Sequence, residues 1–212
     1  MRVKDAEAIT GGLSEPGKMP GRAYNLPAWE CNIGALLRLK AGSVCSGCYA
    51  MKGRYAMTQA KTAMMRRMEA LKNPMWVEAM AYLINRYART KGYTEFRWHD
   101  SGDLQGVWHL ELIEAVCLLT PEVAHWLPTR EYRVVKDYLK THQKPDNLVI
   151  RVSAQYINQA SGVSGLPCST VSESEDVFPD AHHCPARHQG NSCGNCRACW
   201  DPEVEHVDYH VH

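Results

Sequence analysis

Hydrophobic residues follow a helical period and then a strand pattern along the middle of the chain. Residues 50–72 and 75–90 carry Ala, Met and Leu at helical spacing. Residues 94–100 (TEFRWHD) are aromatic and charged in the manner of a strand, and a third helical stretch follows at 107–119. The pattern therefore predicts two consecutive helices followed by a strand–loop–helix unit.

The same unit recurs in the second half of the chain. Residues 122–129 predict a strand, 130–142 a helix, and 147–153 a further strand. Strands that alternate with helices form parallel sheets, whose functional residues collect at the carboxyl ends of the strands. We therefore expect these ends to face one opening. They are residues 100–103, 129–131 and 151–155.

The two ends of the chain differ from this middle part. Residues 1–30 are rich in Gly and Pro, and they predict an irregular segment with one short strand at 24–29. Beyond residue 160 the sequence is rich in Gly, Ser, His and Cys and has little periodicity. A strand at 204–211 would end this part, and its alternation would place His212 on the same face as His206.

We interpret the chain as a single domain, residues 1–212. Its core, residues 22–160, is expected to be an α/β partial barrel. Residues 161–212 are expected to form a cysteine-rich, metal-binding lobe that the metal organises.

Composition and charge exclude several classes of protein. Hydrophobic residues make up 45% of the chain and charged residues 22%, which is typical of a globular protein. The 24 basic and 23 acidic residues give a net charge of +1, so nucleic-acid binding is not indicated. No stretch approaches the roughly 20 apolar residues of a membrane span, and the N-terminus lacks the apolar region of a signal peptide. These features predict a cytoplasmic protein without a membrane partner.

Nine cysteines are the unusual feature of the composition. In a reducing cytoplasm they would persist as thiols or metal ligands rather than disulfides. Cys193, Cys196 and Cys199 have the spacing C-x2-C-x2-C, and Cys184 lies nine residues upstream of them. Three closely spaced thiolates and one distant thiolate suit the corners of a 4Fe-4S cluster. The alternative is a structural zinc site with four thiolate ligands.

A second set of cysteines precedes the first long helix. Cys31, Cys45 and Cys48 would bind a 4Fe-4S cluster through three thiolates and leave one iron open for a small ligand. The alternative is one shared site, in which Cys45 and Cys48 join two C-terminal cysteines. Cys117 lies in an apolar run and is expected in the core, and Cys168 has no assignment.

Other polar residues near these sets have ordinary interpretations. His99, between Trp98 and an aspartate, is expected to be a hydrogen-bonded structural residue. Three histidines close to the C-terminal cysteines, His182, His183 and His188, are expected to be exposed in loops. Arg130 and Glu131 would cap the helix that they begin.

Several motifs resemble a known family over nearly the whole chain. They are KMPGRAYNLPAWEC, CSGCYAMKGRY, FRWHDSGDLQ, HWLPTREY, NLVIRVSA and CGNCRACWD. The chain resembles a poorly characterised family of bacteriophage proteins, the gene product 88 proteins, which is similar to radical SAM enzymes. In those enzymes a three-cysteine 4Fe-4S cluster binds S-adenosylmethionine inside a partial α/β barrel.

The resemblance implies roles for particular residues. Cys31, Cys45 and Cys48 would occupy the place of the radical SAM cluster loop. Ser101, Gly102 and Asp103 would hold the amino group of S-adenosylmethionine. Arg151 and Ser153 would bind its carboxylate or ribose. The alternative is that Asp100, Asp103 and Arg151 form a structural ion-pair network.

These observations predict an iron-sulfur protein of radical SAM type, with one or two 4Fe-4S clusters and S-adenosylmethionine as its implied ligand. The substrate, a small molecule or a macromolecule, is not specified by the sequence. Two other functions are consistent with the same residues. In the first, the metal sites only stabilise the fold of a module that binds nucleic acid or a host or phage protein. In the second, the two clusters transfer electrons.

Overall fold

The computed structural model describes residues 1–211, which form an α/β fold. The helices are α1 (Val3–Thr10), α2 (Asn32–Leu37), α3 (Thr58–Ala70), α4 (Trp76–Lys91), α5 (Val107–Leu118) and α6 (Tyr132–Tyr138). The strands are β1 (Arg22–Tyr24), β2 (Glu95–Trp98), β3 (Ala124–Thr129), β4 (Leu148–Ser153), β5 (Cys168–Ser172), β6 (His182–His183) and β7 (His206–His210).

All strands belong to one parallel sheet with the order β1-β2-β3-β4-β5-β7-β6. Strands β1 to β5 lie side by side in their sequence order, as expected when each strand is joined to the next by a crossover connection. The α/β class and the parallel sheet predicted from the alternation are therefore confirmed. His212, predicted to share a face with His206, lies outside the described residues.

The two faces of the sheet bury different side chains because successive residues of a strand point to opposite faces. On one face, Phe96 and Trp98 of β2 and Leu127 of β3 belong to the main core, which includes residues of α4, α5 and α6. On the other face, Trp126 packs with Trp200 in a smaller cluster. We call this second face, which also bears Arg97 and Tyr209, the lobe face.

The main helices and strands lie close to their predicted positions, whereas two other segments differ. Residues 50–72 do not form one helix, because Tyr49–Met51 and Gly53–Ala56 are 3-10 turns that precede α3. Residues 1–30 contain α1, which the sequence did not predict. Ala6 of α1 packs with Ala79 and Leu83 of α4, so tertiary burial stabilises this short helix.

The cysteine-rich part of the chain is continuous with the sheet. Strands β5, β6 and β7 all come from residues beyond 160, and β5 pairs directly with β4. Arg151 of β4 is fully buried, and its terminal nitrogens donate hydrogen bonds to four backbone carbonyls of this part. The acceptors are the carbonyls of Cys168 (3.0 Å), Glu205 (3.4 Å), Ala198 (3.1 Å) and Asp201 (3.2 Å). No helix within residues 1–211 is both long and apolar enough to cross a membrane.

Candidate metal centres

Three cysteines meet at the carboxyl ends of β2, β3 and β4. Cys31 immediately precedes α2, and Cys45 lies in the 3-10 turn Val44–Gly47, which Cys48 follows. The backbone N–H of Val44 donates to the carbonyl of Gln155, which follows β4, at 3.0 Å. We call Cys31, Cys45 and Cys48 the mouth group.

A glycine leaves the space into which two of these thiols point. A β-carbon placed on Gly34 would lie 3.5 Å from Cys31 Sγ and 3.7 Å from Cys45 Sγ. It would also lie only 2.9 Å from Cys31 Cβ, closer than side chains pack. Gly34 therefore permits the two thiols to approach each other.

The mouth group is an unfavourable place for negative charge. Burial, and then the nearby Asp103 and the other two thiols, raise the pKa of Cys31 well above its usual range. Burial also raises the pKa of Cys45, and Arg130 offsets part of that rise. A bound cation would reverse this effect, because it stabilises the thiolate forms that act as ligands.

Asp103 lies beside the mouth group and is held by three hydrogen bonds. Its Oδ1 accepts from the backbone N–H of Leu104 at 2.8 Å and from Thr129 Oγ1 at 2.6 Å. Its Oδ2 accepts from the backbone N–H of Arg130 at 2.9 Å. The pKa of Asp103 is nevertheless raised, because desolvation by burial outweighs these donors. The carboxylate thus has a fixed orientation and retains capacity to accept further hydrogen bonds.

Glu131 caps the helix that follows Cys31. Its Oε1 accepts from the backbone N–H of Ile33 at 2.9 Å, in the first turn of α2. Arg130 donates from Nε to the carbonyl of Ala154 at 3.0 Å. The expectation that the side chains of Arg130 and Glu131 cap α6 is therefore wrong. They instead tie the mouth group to the ends of β3 and β4.

Aromatic side chains after Cys48 extend the mouth towards β2. Tyr49 donates a hydrogen bond to the backbone carbonyl of Asp100, and Tyr55 donates to Asp100 Oδ2 at 3.0 Å. A cavity of about 240 Å³ lies next to these turns. It is lined by Trp29, Ala50, Met51, Tyr55, Ala56 and Lys61. The segments that carry the thiols therefore also line a space large enough for part of a small ligand.

Of the residues expected to bind a cofactor, Asp103 acts electrostatically on Cys31 and Cys45. Ser101 is buried and donates to the carbonyl of Leu26 at 2.8 Å. Gly102 has a φ of +80°, and a β-carbon there would lie 2.6 Å from Leu26 Cβ. The hydroxyl of Ser153, also buried, accepts from Ser169 Oγ at 3.0 Å. Ser101 and Gly102 thus support the loop, and Arg151 is engaged under the cysteine-rich part.

His99 follows β2 in a left-handed backbone conformation, with a φ of 54°. It is buried, its ring centroid lies 5.2 Å from that of His109, and neither of its ring nitrogens has a hydrogen-bond partner within residues 1–211. The expectation of a hydrogen-bonded residue is therefore wrong in that respect. Burial keeps the pKa of His99 well below its usual value, so the imidazole is neutral.

Four further cysteines meet on the lobe face. Among the groups that raise the pKa of Cys193, after burial itself, are Cys184 and Cys196, and Cys184 also raises that of Cys199. The backbone N–H of Cys193 donates to the carbonyl of Lys18 at 2.7 Å. We call Cys184, Cys193, Cys196 and Cys199 the lobe group.

Two side chains beyond the cysteines contact the lobe group. His182 Nε2 lies 3.3 Å from Cys196 Sγ, although its side chain is exposed as expected. The hydroxyl of Tyr209 lies 3.1 Å from Cys199 Sγ. Burial raises the pKa of Cys199 to about 11. Sequence alternation could indicate the face of Tyr209, but not this contact, which depends on the 3-10 turn Ala198–Trp200.

The two groups are separate sets of thiols. The charged groups that act on Cys31 are Asp103, Arg38 and its own two partners, whereas those on Cys193 include Lys18 and Arg97. All nine cysteines are free thiols. Cys117 is buried in the main core as predicted. Within residues 1–211, no three or more His, Cys, Asp or Glu side chains are placed so that they could hold a metal ion as they stand.

The fold and the cysteines define a parallel α/β protein that gathers two groups of thiols on one sheet. The sequence of residues 2–202 matches the gene product 88 family, and the chain belongs to that family. This agrees with the phage family that its motifs resemble. No curated protein and no solved structure shows significant similarity to the chain. The similarity to radical SAM enzymes therefore stays a prediction.

Proposed function

We propose that the chain is an iron-sulfur protein of radical SAM type or descent, which binds one 4Fe-4S cluster at each thiol group. One observation carries the proposal: seven of the nine cysteines, far apart along the chain, gather in two groups on one sheet. In the cytoplasm of a bacterial host, where disulfides are rare, such thiol groups serve as metal ligands more often than as cross-links.

The donor sets fit iron-sulfur clusters in number and chemistry. Thiolate sulfur is the usual ligand of such clusters, and four thiolates saturate a cube whereas three leave one iron open. Each Sγ moves on a single side-chain torsion, so rotation about Cα–Cβ can bring grouped thiols into a ligand arrangement. Gly34 keeps clear the space that Cys31 and Cys45 would use.

The mouth group is the proposed site of chemistry. A cluster with an open iron supplies one-electron reduction to a ligand bound there. We propose S-adenosylmethionine as this ligand and place its amino group against Asp103, whose carboxylate is fixed by three donors. Ser153 and the backbone around Gly102 are the other proposed contacts. Arg151 is a weaker candidate, because its terminal nitrogens already bond four carbonyls.

A structural role is proposed for the lobe group. Segments around it form short 3-10 turns and the two-residue strand β6, in which Ala186, Ala198 and Trp200 are the buried apolar residues. Metal ligation would offset the entropy of ordering them.

A zinc-stapled binding module is the second candidate. It is favoured by the 3.3 Å contact between His182 Nε2 and Cys196 Sγ, because mixed cysteine and histidine ligands are common in structural zinc sites. In that case the lobe would present a surface to a protein or nucleic acid, without chemistry at the mouth.

Metal content distinguishes the two candidates. Protein reconstituted anaerobically with iron and sulfide should hold about eight irons per chain if two cubes form. Cys45→Ser combined with Cys48→Ser should remove about half of them. Cys168→Ser, which changes a cysteine outside both groups, is the matched control and should change nothing. Zinc without sulfide in the wild type would refute the iron-sulfur proposal.

Use of S-adenosylmethionine is tested separately with the loaded protein. Addition of S-adenosylmethionine and dithionite should yield 5'-deoxyadenosine and change the paramagnetic resonance spectrum of the reduced mouth cluster. Asp103→Asn should weaken that spectral change more than it lowers iron content. An iron-loaded protein that shows neither response would refute the radical SAM assignment and leave the iron-sulfur assignment intact.

A further inference from the structure

Arg97 is a partly buried cation on the lobe face. Its guanidinium carbon lies 4.4 Å from the ring centroid of Trp126, so the side chain stacks on that indole. Within residues 1–211, no carboxylate comes within 4.0 Å of its guanidinium nitrogens, and its Nε–H is buried without a hydrogen-bond acceptor. A cation in this position needs an electron-rich neighbour to offset its desolvation.

Trp126 provides a second donor in the same place. Its Nε1–H is also buried without an acceptor within the described chain. An unpaired buried donor costs about 1–3 kcal/mol, and two of them beside each other are unusual in a folded protein. Arg97 Nε–H and Trp126 Nε1–H are therefore both free to bond an acceptor outside the protein chain.

The lobe group adjoins the donor pair through Trp126, whereas the ionisable groups that act most strongly on Arg97 itself are Tyr49, Asp100 and Tyr209. Trp126 belongs to the packed cluster that Cys193 and Cys199 join. Arg97 is one of the cations that act on both of these thiols and on Tyr209, whose hydroxyl contacts Cys199. The sulfur atoms of a cluster accept N–H hydrogen bonds, and such bonds help to set its reduction potential.

We propose that Arg97 and Trp126 form a donor pair that stabilises the reduced state of the cluster bound by the lobe group and thereby raises its reduction potential. The inference rests on the proposed function, and it assigns a redox-active rather than a purely structural state to this cluster. Reduction adds one electron to a cluster that is already anionic. A neighbouring positive charge and an N–H dipole stabilise the added electron by direct Coulomb attraction.

The test uses full-length protein in the Cys45→Ser, Cys48→Ser background, so that only the lobe cluster remains. Its midpoint potential is measured by a redox titration followed by paramagnetic resonance. Arg97→Gln, which removes the charge, should move the potential to a more negative value. Arg97→Lys retains the charge and should move it less. Trp126→Phe, which retains the aromatic ring and removes only the N–H, should also lower it.

Arg22→Gln is the matched control, because Arg22 lies on the adjacent strand and already pairs with Glu15 at 2.7 Å. It should leave the potential unchanged. If Arg97→Gln and Trp126→Phe fold, bind iron and titrate at the wild-type potential, the inference is overturned while the iron-sulfur proposal stands. If the background protein binds zinc and no iron-sulfur cluster, the proposed function of the lobe group fails first, and the inference falls with it.

Discussion

Two buried histidines should make the fold sensitive to mild acid. His109 and His125 have no solvent exposure, and burial lowers the pKa of each from 6.5 to about 3. In the unfolded chain both imidazoles take up a proton near pH 6.5, whereas in the folded chain they stay neutral until about pH 3. The unfolded state thus binds more protons between these values, and stability is lost as the pH falls through them.

The loss is large enough to measure. One pKa unit corresponds to about 1.36 kcal/mol, so each histidine should cost about 2 kcal/mol at pH 5 relative to pH 7. His125→Phe isolates the contribution of one buried histidine. The ring of His125 lies among Phe96 and Trp98, so phenylalanine fits its apolar surroundings. The substitution removes the 2.8 Å hydrogen bond between His125 Nε2 and Thr120 Oγ1, at a cost of about 1 kcal/mol at either pH.

Urea unfolding at pH 7 and pH 5, followed by circular dichroism, gives the required free energies. The wild type should lose about 2 kcal/mol more between the two pH values than His125→Phe does. His210→Phe, at an exposed position near the end of β7, is the control and should lose as much as the wild type. Equal losses in the wild type and His125→Phe would refute the reasoning. Loss of a bound metal at low pH would affect the wild type, His125→Phe and His210→Phe alike, so it cancels in the comparison of their free energies of unfolding.

Three further substitutions test how the cysteine-rich part and the mouth are held. Arg151→Met should lower the free energy of unfolding by about 3 kcal/mol or more, because four carbonyls lose a charged donor; a loss below about 1 kcal/mol in urea unfolding would contradict this. Gly102→Ala should cost about 1–3 kcal/mol in the same assay, and clearly more than Gly12→Ala, which has a similar φ but open space around it. Gly34→Ala should lower the iron content of reconstituted protein by about half, whereas Gly47→Ala, whose β-carbon would meet nothing within 4 Å, should retain it; equal iron in both variants would contradict the role of Gly34.

Strong periodic signals in the sequence were sufficient for the main elements. The helical spacing that predicted 75–90 and 107–119 corresponds to α4 and α5, because their apolar residues repeat over several turns. Residues 50–57 have the same composition, yet they form 3-10 turns. Tyr49 and Tyr55 form hydrogen bonds with Asp100, which lies 51 and 45 residues further along the chain. No local sequence pattern indicates contacts of that range.

Spacing along the chain identified the residues that could form the candidate sites. The spacing of Cys193, Cys196 and Cys199 identifies a tight loop of thiols, because the gaps alone limit how far apart the side chains can lie. The placement of Asp103 in the loop after β2 also came from the sequence, since parallel strands direct their carboxyl ends to one edge.

The contacts that these residues make depend on the tertiary structure. Glu131 caps α2 rather than its own helix, and Arg151 bonds carbonyls that are up to 54 residues away. Arg97 and Trp126 lie within the motifs FRWHDSGDLQ and HWLPTREY, but no spacing in the sequence indicates their contact, and their unpaired N–H groups become informative only when neighbouring strands bring them together on the lobe face. Spacing and periodicity reflect interactions between residues that are close along the chain. Burial and hydrogen-bond pairing instead depend on residues that are distant in sequence and become neighbours only in the folded protein.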